Sequence, residues 1–220
     1  MNNHIPYTSQ SLIGIIVPKI LQDTIKETLR GFPNIQPHYF IIHDFSMTDE
    51  LQRFIYEYEM LVVADPYIFQ QLKLYDSSLP LYQINSRALR LYELLLTHQL
   101  QNVQKQYCFD LMQQSDILSI THQLQQKIDF VYSVGETIDE IVVAHIKHAE
   151  QGAFPITTIA SVYMSLRENN IDCLYLIPTK QEMIVAFERV LLASKGRQNK
   201  ESQIVYGIIQ FESITKQVQS

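Results

Sequence analysis

The sequence predicts an α/β protein made of two doubly wound lobes, each a parallel sheet with helices on both faces. Apolar runs typical of buried strands alternate with amphipathic helical segments along most of the chain. A strand, a two-residue turn and a helix occur at 79–99 and again, in the same order, at 172–195. At 220 residues and 46% hydrophobic content, the chain is long enough to bury two such cores.

The first lobe is predicted to span residues 11–101. The run SLIGIIVP at 11–18 has the continuous apolar pattern of a strand buried on both faces. Pro37 indicates that the second strand, at 35–42, either lies on the edge of the sheet or starts after the proline, because proline cannot donate to a central ladder. The lobe continues with a helix from Ser46 or Thr48, a strand at 60–66, a helix at 67–75, a strand at 81–85, and a helix with a Leu89, Tyr92, Leu96 and Leu100 stripe.

The second lobe is predicted to span residues 102–196, after a polar link at 101–106 that has no periodicity. Alternating strands and helices at this spacing require parallel pairing with right-handed crossovers, in about four βα units per lobe. Ile117, Ile120 and Leu124 form the apolar stripe of its first helix. The predicted strands lie at 107–112, 128–135, 154–159 and 173–177, and the helices at 114–126, 137–152, 160–169 and 180–196.

The two ends of the chain are interpreted separately from the lobes. Residues 1–10 are predicted to be a flexible lead-in. The segment at 202–214 includes a strand-like run, QIVYGIIQF. We interpret it as an extra C-terminal strand, either added to a sheet edge or leading to a further domain.

Charge, hydropathy and cysteine content indicate which classes of partner and location to expect. The net charge is −6 and the pI about 5.6, so direct nucleic-acid binding is not expected, because that would need a basic stripe. No apolar run approaches a membrane span, and the polar N-terminus is unlike a signal peptide. Cys108 and Cys173 both lie in predicted strands. Two buried, reduced thiols favour a cytoplasmic protein.

Four segments carry a resemblance to a known family: GIIVP at 14–18, LVVADP at 61–66, residues 78–95 and residues 161–191. Over roughly residues 11–195 the chain resembles the sensory domain of propionate-catabolism activators, as found in uncharacterised Gram-positive transcriptional regulators. The resemblance implies two flavodoxin-like lobes that sense a small molecule and are joined to DNA-binding or other modules. The chain departs from that family in having few glycines at its strand ends, which argues against a phosphate-bearing ligand.

Candidate ligand-binding residues follow from the rule that open parallel sheets bind ligands beyond the carboxyl ends of their strands. For Ser86, Thr137, Ser161, Thr179 and Asp65 the alternative interpretation is an ordinary helix cap, worth ~1 kcal/mol of stability. Asp65 and Glu136 have carboxylates predicted to face the cleft. The predicted ligand-binding set is Asp65, Asn85, Ser86, Gly135, Glu136, Thr137, Thr158, Ser161, Pro178 and Thr179.

Catalytic and metal signatures are absent from the sequence. It contains no GxSxG, Walker, GxGxxG or HExxH motif, so we predict no catalytic residues and no cofactor. His145 and His148 have a spacing compatible with a metal pair, but no third ligand accompanies them. We interpret them as surface histidines and expect no metal.

The leading hypothesis is a small-molecule-sensing regulatory domain of a cytoplasmic bacterial regulator. Its effector would bind between the lobes, and a homodimer is the expected assembly. The second hypothesis is an enzyme of a small polar metabolite or nucleotide that uses Asp65 and Glu136. The third is a dimerisation scaffold without ligand, whose final strand pairs across a two-fold axis.

Overall fold

Two four-stranded parallel sheets organise the molecule, with strand orders β2-β1-β3-β4 and β6-β5-β7-β8. The structure is a computed structural model and describes residues 10–43, 46–85, 88–100, 106–112, 114–125 and 129–196. Every strand pairing is parallel, as the alternation of strands and helices predicts. The predicted fold class of two flavodoxin-like lobes is therefore confirmed.

The first sheet forms between residues 11 and 83. β2 is an edge strand that pairs with β1 over its whole length, from Ser11 opposite Ile35 to Pro18 opposite Ile42. The edge position predicted from Pro37 is confirmed. The elements are β1 (Ser11–Pro18), a 3-10 turn (Lys19–Leu21), α1 (Gln22–Leu29), β2 (Ile35–Ile42), α2 (Asp49–Glu57), β3 (Leu61–Val63), α3 (Pro66–Tyr75) and β4 (Leu81–Gln83).

The second sheet repeats this order with shorter strands. Helix α6 begins with a capping box, in which the Thr137 hydroxyl accepts from the Glu140 N–H and the Glu140 side chain accepts from the Thr137 N–H. The elements are α4 (Ala88–Leu100), β5 (Tyr107–Phe109), α5 (Gln114–Leu124), β6 (Phe130–Tyr132), α6 (Ile138–Glu150), β7 (Phe154–Thr157), α7 (Ala160–Glu168), β8 (Leu174–Tyr175) and α8 (180–196).

The helices that follow β4 and β8 each pack on the sheet of the other lobe. Leu91 and Leu95 of α4 join the core around Tyr107 and Phe109 of the second sheet. Met183, Phe187 and Val190 of α8 join the core around Ile13 and Ile15 of the first sheet. The sequence prediction placed each of these helices with the lobe that precedes it, and the packing corrects that assignment. The residue limits of the lobes as folding units stay a prediction.

The first lobe consists of the β1–β4 sheet and the helices that cover it. The second lobe consists of the β5–β8 sheet and the helices that cover it. A buried hydrogen bond between the hydroxyls of Ser11 and Ser194, 2.7 Å long, ties α8 to β1. The Thr28 hydroxyl on α1 donates to Sδ of Met183 at 3.6 Å. Helix α8 is therefore an integral layer of the first lobe.

The apolar faces of the two exchanged helices can be compared with the sequence. On α8, Met183, Phe187 and Val190 have no exposed surface. The predicted α4 stripe is half right, because Tyr92 and Leu96 pack against the core, whereas Leu89 and Leu100 are exposed and Leu91 and Leu95 are buried instead. Leucines surround much of α4, so its sequence is compatible with more than one buried face.

The predicted lead-in and the C-terminal strand at 202–214 lie outside the described residues, apart from Gln10. Within the part of the chain that the structure describes, none of the helices is both long and apolar enough to cross a membrane.

Candidate ligand site between the lobes

The two lobes meet at the places where parallel sheets of this type bind ligands. In each sheet the direction of winding reverses between its two central strands, β1 and β3 in the first and β5 and β7 in the second. Asp65 lies two residues after the end of β3. Asp110 follows β5, and Thr158 follows β7.

Asp65 joins the two lobes through its carboxylate. Its Oδ1 accepts from the N–H groups of Tyr67 at 2.9 Å and Ile68 at 3.2 Å, which caps α3 of the first lobe. Its Oδ2 accepts from the Ala160 N–H at 3.0 Å, at the first turn of α7 in the second lobe. The N-cap residue of α7, Ile159, makes no side-chain cap, so a residue of the other lobe supplies an acceptor to this helix.

Asp110 holds the corresponding position in the second lobe. Its Oδ1 accepts from the N–H of Leu111 at 2.6 Å and from the N–H and hydroxyl of Thr158 at 3.2 and 3.0 Å. Its Oδ2 accepts from the Thr157 hydroxyl. Asp110 therefore fixes the end of β7 against the end of β5.

Burial governs the electrostatics of the two carboxylates. Asp65 is 1% exposed, and burial raises its pKa from 3.8 to about 6. The three backbone N–H donors lower this pKa, and the negative charge of Asp110 raises it. The two carboxylates therefore lie within electrostatic reach of each other in a medium of low dielectric constant.

Tyr175 of β8 lies beside this pair. It is the register partner of Thr157, is 7% exposed, and stacks on Tyr163 of α7 with ring centroids 5.4 Å apart. Burial, Asp65 and Asp110 together raise the pKa of its hydroxyl well above the ordinary value. We call the set Asp65, Asp110, Thr157, Thr158, Ala160 and Tyr175 the inter-lobe floor.

His145 was interpreted from the sequence as a surface residue, and that interpretation is wrong. It has no exposed surface, its Nδ1 lies 3.3 Å from Sγ of Cys108, and its Nε2 lies 3.6 Å from Oδ2 of Asp110. Helix α6 covers β5, so position 145 faces the sheet. His148, three residues later, is half-buried.

The two thiols are buried and reduced in the structure, as predicted. Burial raises the pKa of the Cys108 thiol to about 12 and that of Cys173 to about 11. Neither thiol ionises near neutral pH, so neither has the character of a nucleophile.

Four predicted site residues lie around the N-terminus of α6 and the start of α7. Thr137 caps α6, and the Glu136 N–H donates to the Glu140 carboxylate at 2.8 Å. The Tyr67 hydroxyl of α3 donates to the Glu136 backbone carbonyl at 3.3 Å, which is a second bridge between the lobes. The Glu136 residue itself is exposed, Gly135 packs on α6, and Ser161 is half-buried in α7.

Asn85 follows β4 at the same carboxyl edge of the first sheet as Asp65, and Pro178 and Thr179 follow β8 of the second sheet. Thr179 and Glu182 form a reciprocal cap at the start of α8, in which the Thr179 N–H donates to the Glu182 carboxylate at 2.6 Å. Pro178 is buried beside it. Asn85 and Glu182 line the same cavity of about 180 Å³, whereas Ser86 lies outside the described residues. The predicted set therefore divides between this cavity and the boundary between the lobes.

Sequence reasoning found Asp65 and Thr158 but missed Asp110 and Tyr175. Asp110 was read as part of a strand, YCFDLM, although a lone carboxylate in an apolar run is the same signal that identified Asp65. Tyr175 was one of thirteen tyrosines and had no distinguishing context. Among the described residues, no group of three or more His, Cys, Asp or Glu side chains is placed to hold a metal ion.

Gly135→Ala is expected to lower the free energy of unfolding by about 1–3 kcal/mol, because overpacking a rigid contact has a cost of that size. A methyl group there would lie 2.6 Å from Cβ of Glu140 and 2.8 Å from the Ile141 backbone nitrogen, inside the first turn of α6. Urea denaturation measures the change. Gly196→Ala is the control, since nothing lies within 4 Å of a methyl group at that position. Equal stability of the two variants would contradict the close packing of Gly135.

Comparison with known proteins yields structural likeness only. No protein-family model matches the chain, and a search of curated proteins gives no match. Similar solved structures include the following three. An NtrC family transcriptional regulator from Clostridium acetobutylicum shares 14% identity at a TM-score of 0.60, over 86% of this chain and 98% of that one.

The other two are more distant. A LacI family transcriptional regulator from Arthrobacter sp. FB24 shares 10% identity at a TM-score of 0.36, over 74% of this chain and 75% of that one. An extracellular ligand-binding receptor from Verminephrobacter eiseniae shares 13% identity at 0.37, over 73% of this chain and 62% of that one. These two likenesses are too weak to carry an argument. The chain thus has the two-lobed α/β fold of the clostridial NtrC family regulator.

Proposed function

We propose that this chain is a regulatory domain that binds a small molecule between its two lobes. The observation that carries the proposal is the double role of Asp65, which caps α3 of the first lobe and accepts from the Ala160 N–H of the second. A ligand that enters at this point must break the hydrogen bond between Asp65 and Ala160 that joins the lobes, and replace it with contacts of its own. Binding and lobe closure are therefore coupled, which is the requirement for a sensor.

The transmission of that change follows from the exchanged helices. Helix α8 leaves the second sheet and forms part of the core of the first. A rotation of one lobe against the other therefore moves the end of α8, after which the chain continues toward its C-terminus. We propose that this end passes the signal to an attached or partner domain of a cytoplasmic bacterial transcriptional regulator, which acts as a homodimer. The fold shared with an NtrC family regulator supports this role.

The distance between α3 and α6 tests the proposal. These two helices meet at their N-termini through Tyr67 and Glu136, so their far ends separate or approach when the lobes move. Spin labels at Leu74→Cys and Lys147→Cys, both exposed, report that distance, and the native cysteines are buried. Organic acids, amines, nucleotides, pterins and acyl-CoA precursors are first screened by thermal shift. We expect a stabilising compound to change the distance.

A label pair within the first lobe, Tyr56→Cys with Leu74→Cys, is the matched control and should give an unchanged distance. Turnover of a compound that is abolished by Asp65→Ala would instead favour an enzyme. A tight dimer whose label distance no compound changes would favour a scaffold without ligand.

A further inference from the structure

The inter-lobe floor carries two buried carboxylates that no described lysine or arginine contacts. The ion pairs that the structure describes join neither Asp65 nor Asp110 to a lysine or arginine. The imidazole nearest to them, that of His145, has its Nε2 3.6 Å from Asp110 and makes no hydrogen bond through that atom. Buried charges are normally paired, so this floor holds negative charge that the described residues leave uncompensated.

The backbone donors that would receive an anion at this place are already occupied. In sheets of this type, anions bind to N–H groups at helix N-termini beyond the strand ends. Here Asp65 takes the N–H groups of Tyr67, Ile68 and Ala160, and Asp110 takes those of Leu111 and Thr158. A ligand carboxylate or phosphate would have to displace a carboxylate of the chain and stand beside the other one.

A third group on the floor has hydrogen-bonding capacity that the fold does not use. The Tyr175 hydroxyl makes no hydrogen bond with any residue the structure describes, although the side chain is 7% exposed. Tyr175 is the register partner of Thr157, whose hydroxyl donates to Asp110, and the charges of Asp65 and Asp110 both act on the Tyr175 hydroxyl. A phenol oxygen in the field of two carboxylates is well placed to accept from a positively charged donor.

We propose that the inter-lobe floor binds a cationic group, a protonated amine or an amidinium, between Asp65, Asp110 and the Tyr175 hydroxyl, and that it excludes carboxylates and phosphates. When the lobes part, Oδ2 of Asp65 loses the Ala160 N–H, and a ligand N–H takes that place. The stacked rings of Tyr163 and Tyr175 add an electron-rich surface that favours a cation over an anion. This inference rests on the proposed function, since the site is reached through lobe opening.

Matched pairs of small compounds that differ mainly in the sign of their charge test the ligand class. Tyramine is compared with 4-hydroxyphenylacetate, benzamidine with benzoate, and putrescine with succinate, by thermal shift and calorimetry on the full chain at pH 7. We expect at least one cationic compound to raise the Tm, and its acidic counterpart to leave the Tm unchanged. Acidic compounds that bind where the cations do not would overturn the proposal.

Variants then test which residues contact the bound cation. Asp110→Asn and Tyr175→Phe are expected to weaken cation binding, the first by tenfold or more, because a hydrogen bond to a charged group is lost. Asp139→Asn, an exposed residue of α6, makes the same change in net charge and should leave the affinity unchanged. Equal weakening by Asp110→Asn and Asp139→Asn would show a general charge effect and overturn the assignment.

The spin-label pair at Leu74 and Lys147 shows whether only the proposed cationic ligand class is wrong or the proposed sensing function is wrong as well. If a compound other than a cation changes the label distance, the domain still senses a small molecule and the cationic class is wrong. If neither member of any pair binds and no screened compound changes the distance, both proposals fall.

Discussion

Phe187→Ala is expected to lower the free energy of unfolding by about 3–5 kcal/mol, the range for removing a large aromatic side chain from a core. Phe187 lies on α8 and has no exposed surface. Its ring meets Phe32 of the first lobe edge to face, with centroids 5.7 Å apart. The cavity would therefore open beneath the first sheet, although α8 follows the last strand of the second.

Leu192→Ala on the same helix is the control, because Leu192 is 71% exposed and its loss should change the stability by less than about 0.5 kcal/mol. Amide hydrogen exchange shows which sheet the substitution destabilises. We expect Phe187→Ala to speed exchange in β1 and β3 more than in β5 and β7. Faster exchange confined to the second sheet would show that α8 covers its own lobe, and would contradict the exchanged packing.

The exchange of α4 and α8 marks the limit of what the sequence predicts about the fold. Strands, helices, parallel pairing and the edge position of β2 all follow from local signals: apolar runs, caps and Pro37. The apolar stripe of a helix shows which face is buried, but it does not show which sheet covers that face. Met183 and Phe187 have the same spacing whichever lobe they pack on.

The residues of the candidate site likewise divide into those that local sequence signals predict and those that only tertiary packing brings together. Asp65 was predictable because it follows a strand and precedes Pro66, and the structure places it at the boundary between the lobes. The sequence does not show that its second oxygen accepts from Ala160, 95 residues later. His145 and Tyr175 depend on tertiary packing alone. Positions at strand ends are therefore predictable one at a time, whereas the way that two lobes bring them together is not.

Asp65→Asn is expected to remove a pH dependence of stability that the buried carboxyl imposes. The folded pKa is raised from 3.8 to about 6, so the proton binds more tightly to the folded state. The stability that this proton contributes is fully present below about pH 3.8 and is lost as the pH rises through about 6. A pKa difference of this size corresponds to about 3 kcal/mol.

Asparagine has nearly the shape of the protonated acid and carries no charge at any pH. Its oxygen can still cap α3, while its amide group faces the Ala160 N–H and cannot accept from it. We therefore expect a constant offset between wild type and variant, and superimposed on it a gain of about 2.4 kcal/mol for the variant between pH 4 and pH 7.5. Urea denaturation across this range measures the difference.

Asp76→Asn gives a control of opposite sign. Hydrogen bonds from Ser78 lower the pKa of the exposed Asp76, so its contribution is present at neutral pH and is lost on acidification. As the pH rises, the free energy of unfolding of wild type should therefore increase relative to that of Asp76→Asn. Relative to that of Asp65→Asn it should decrease. If both variants gave the same sign, the Asp65 carboxyl would not be desolvated between the lobes. A cation on the inter-lobe floor should reduce the Asp65 slope, because it stabilises the ionised carboxylate that burial disfavours.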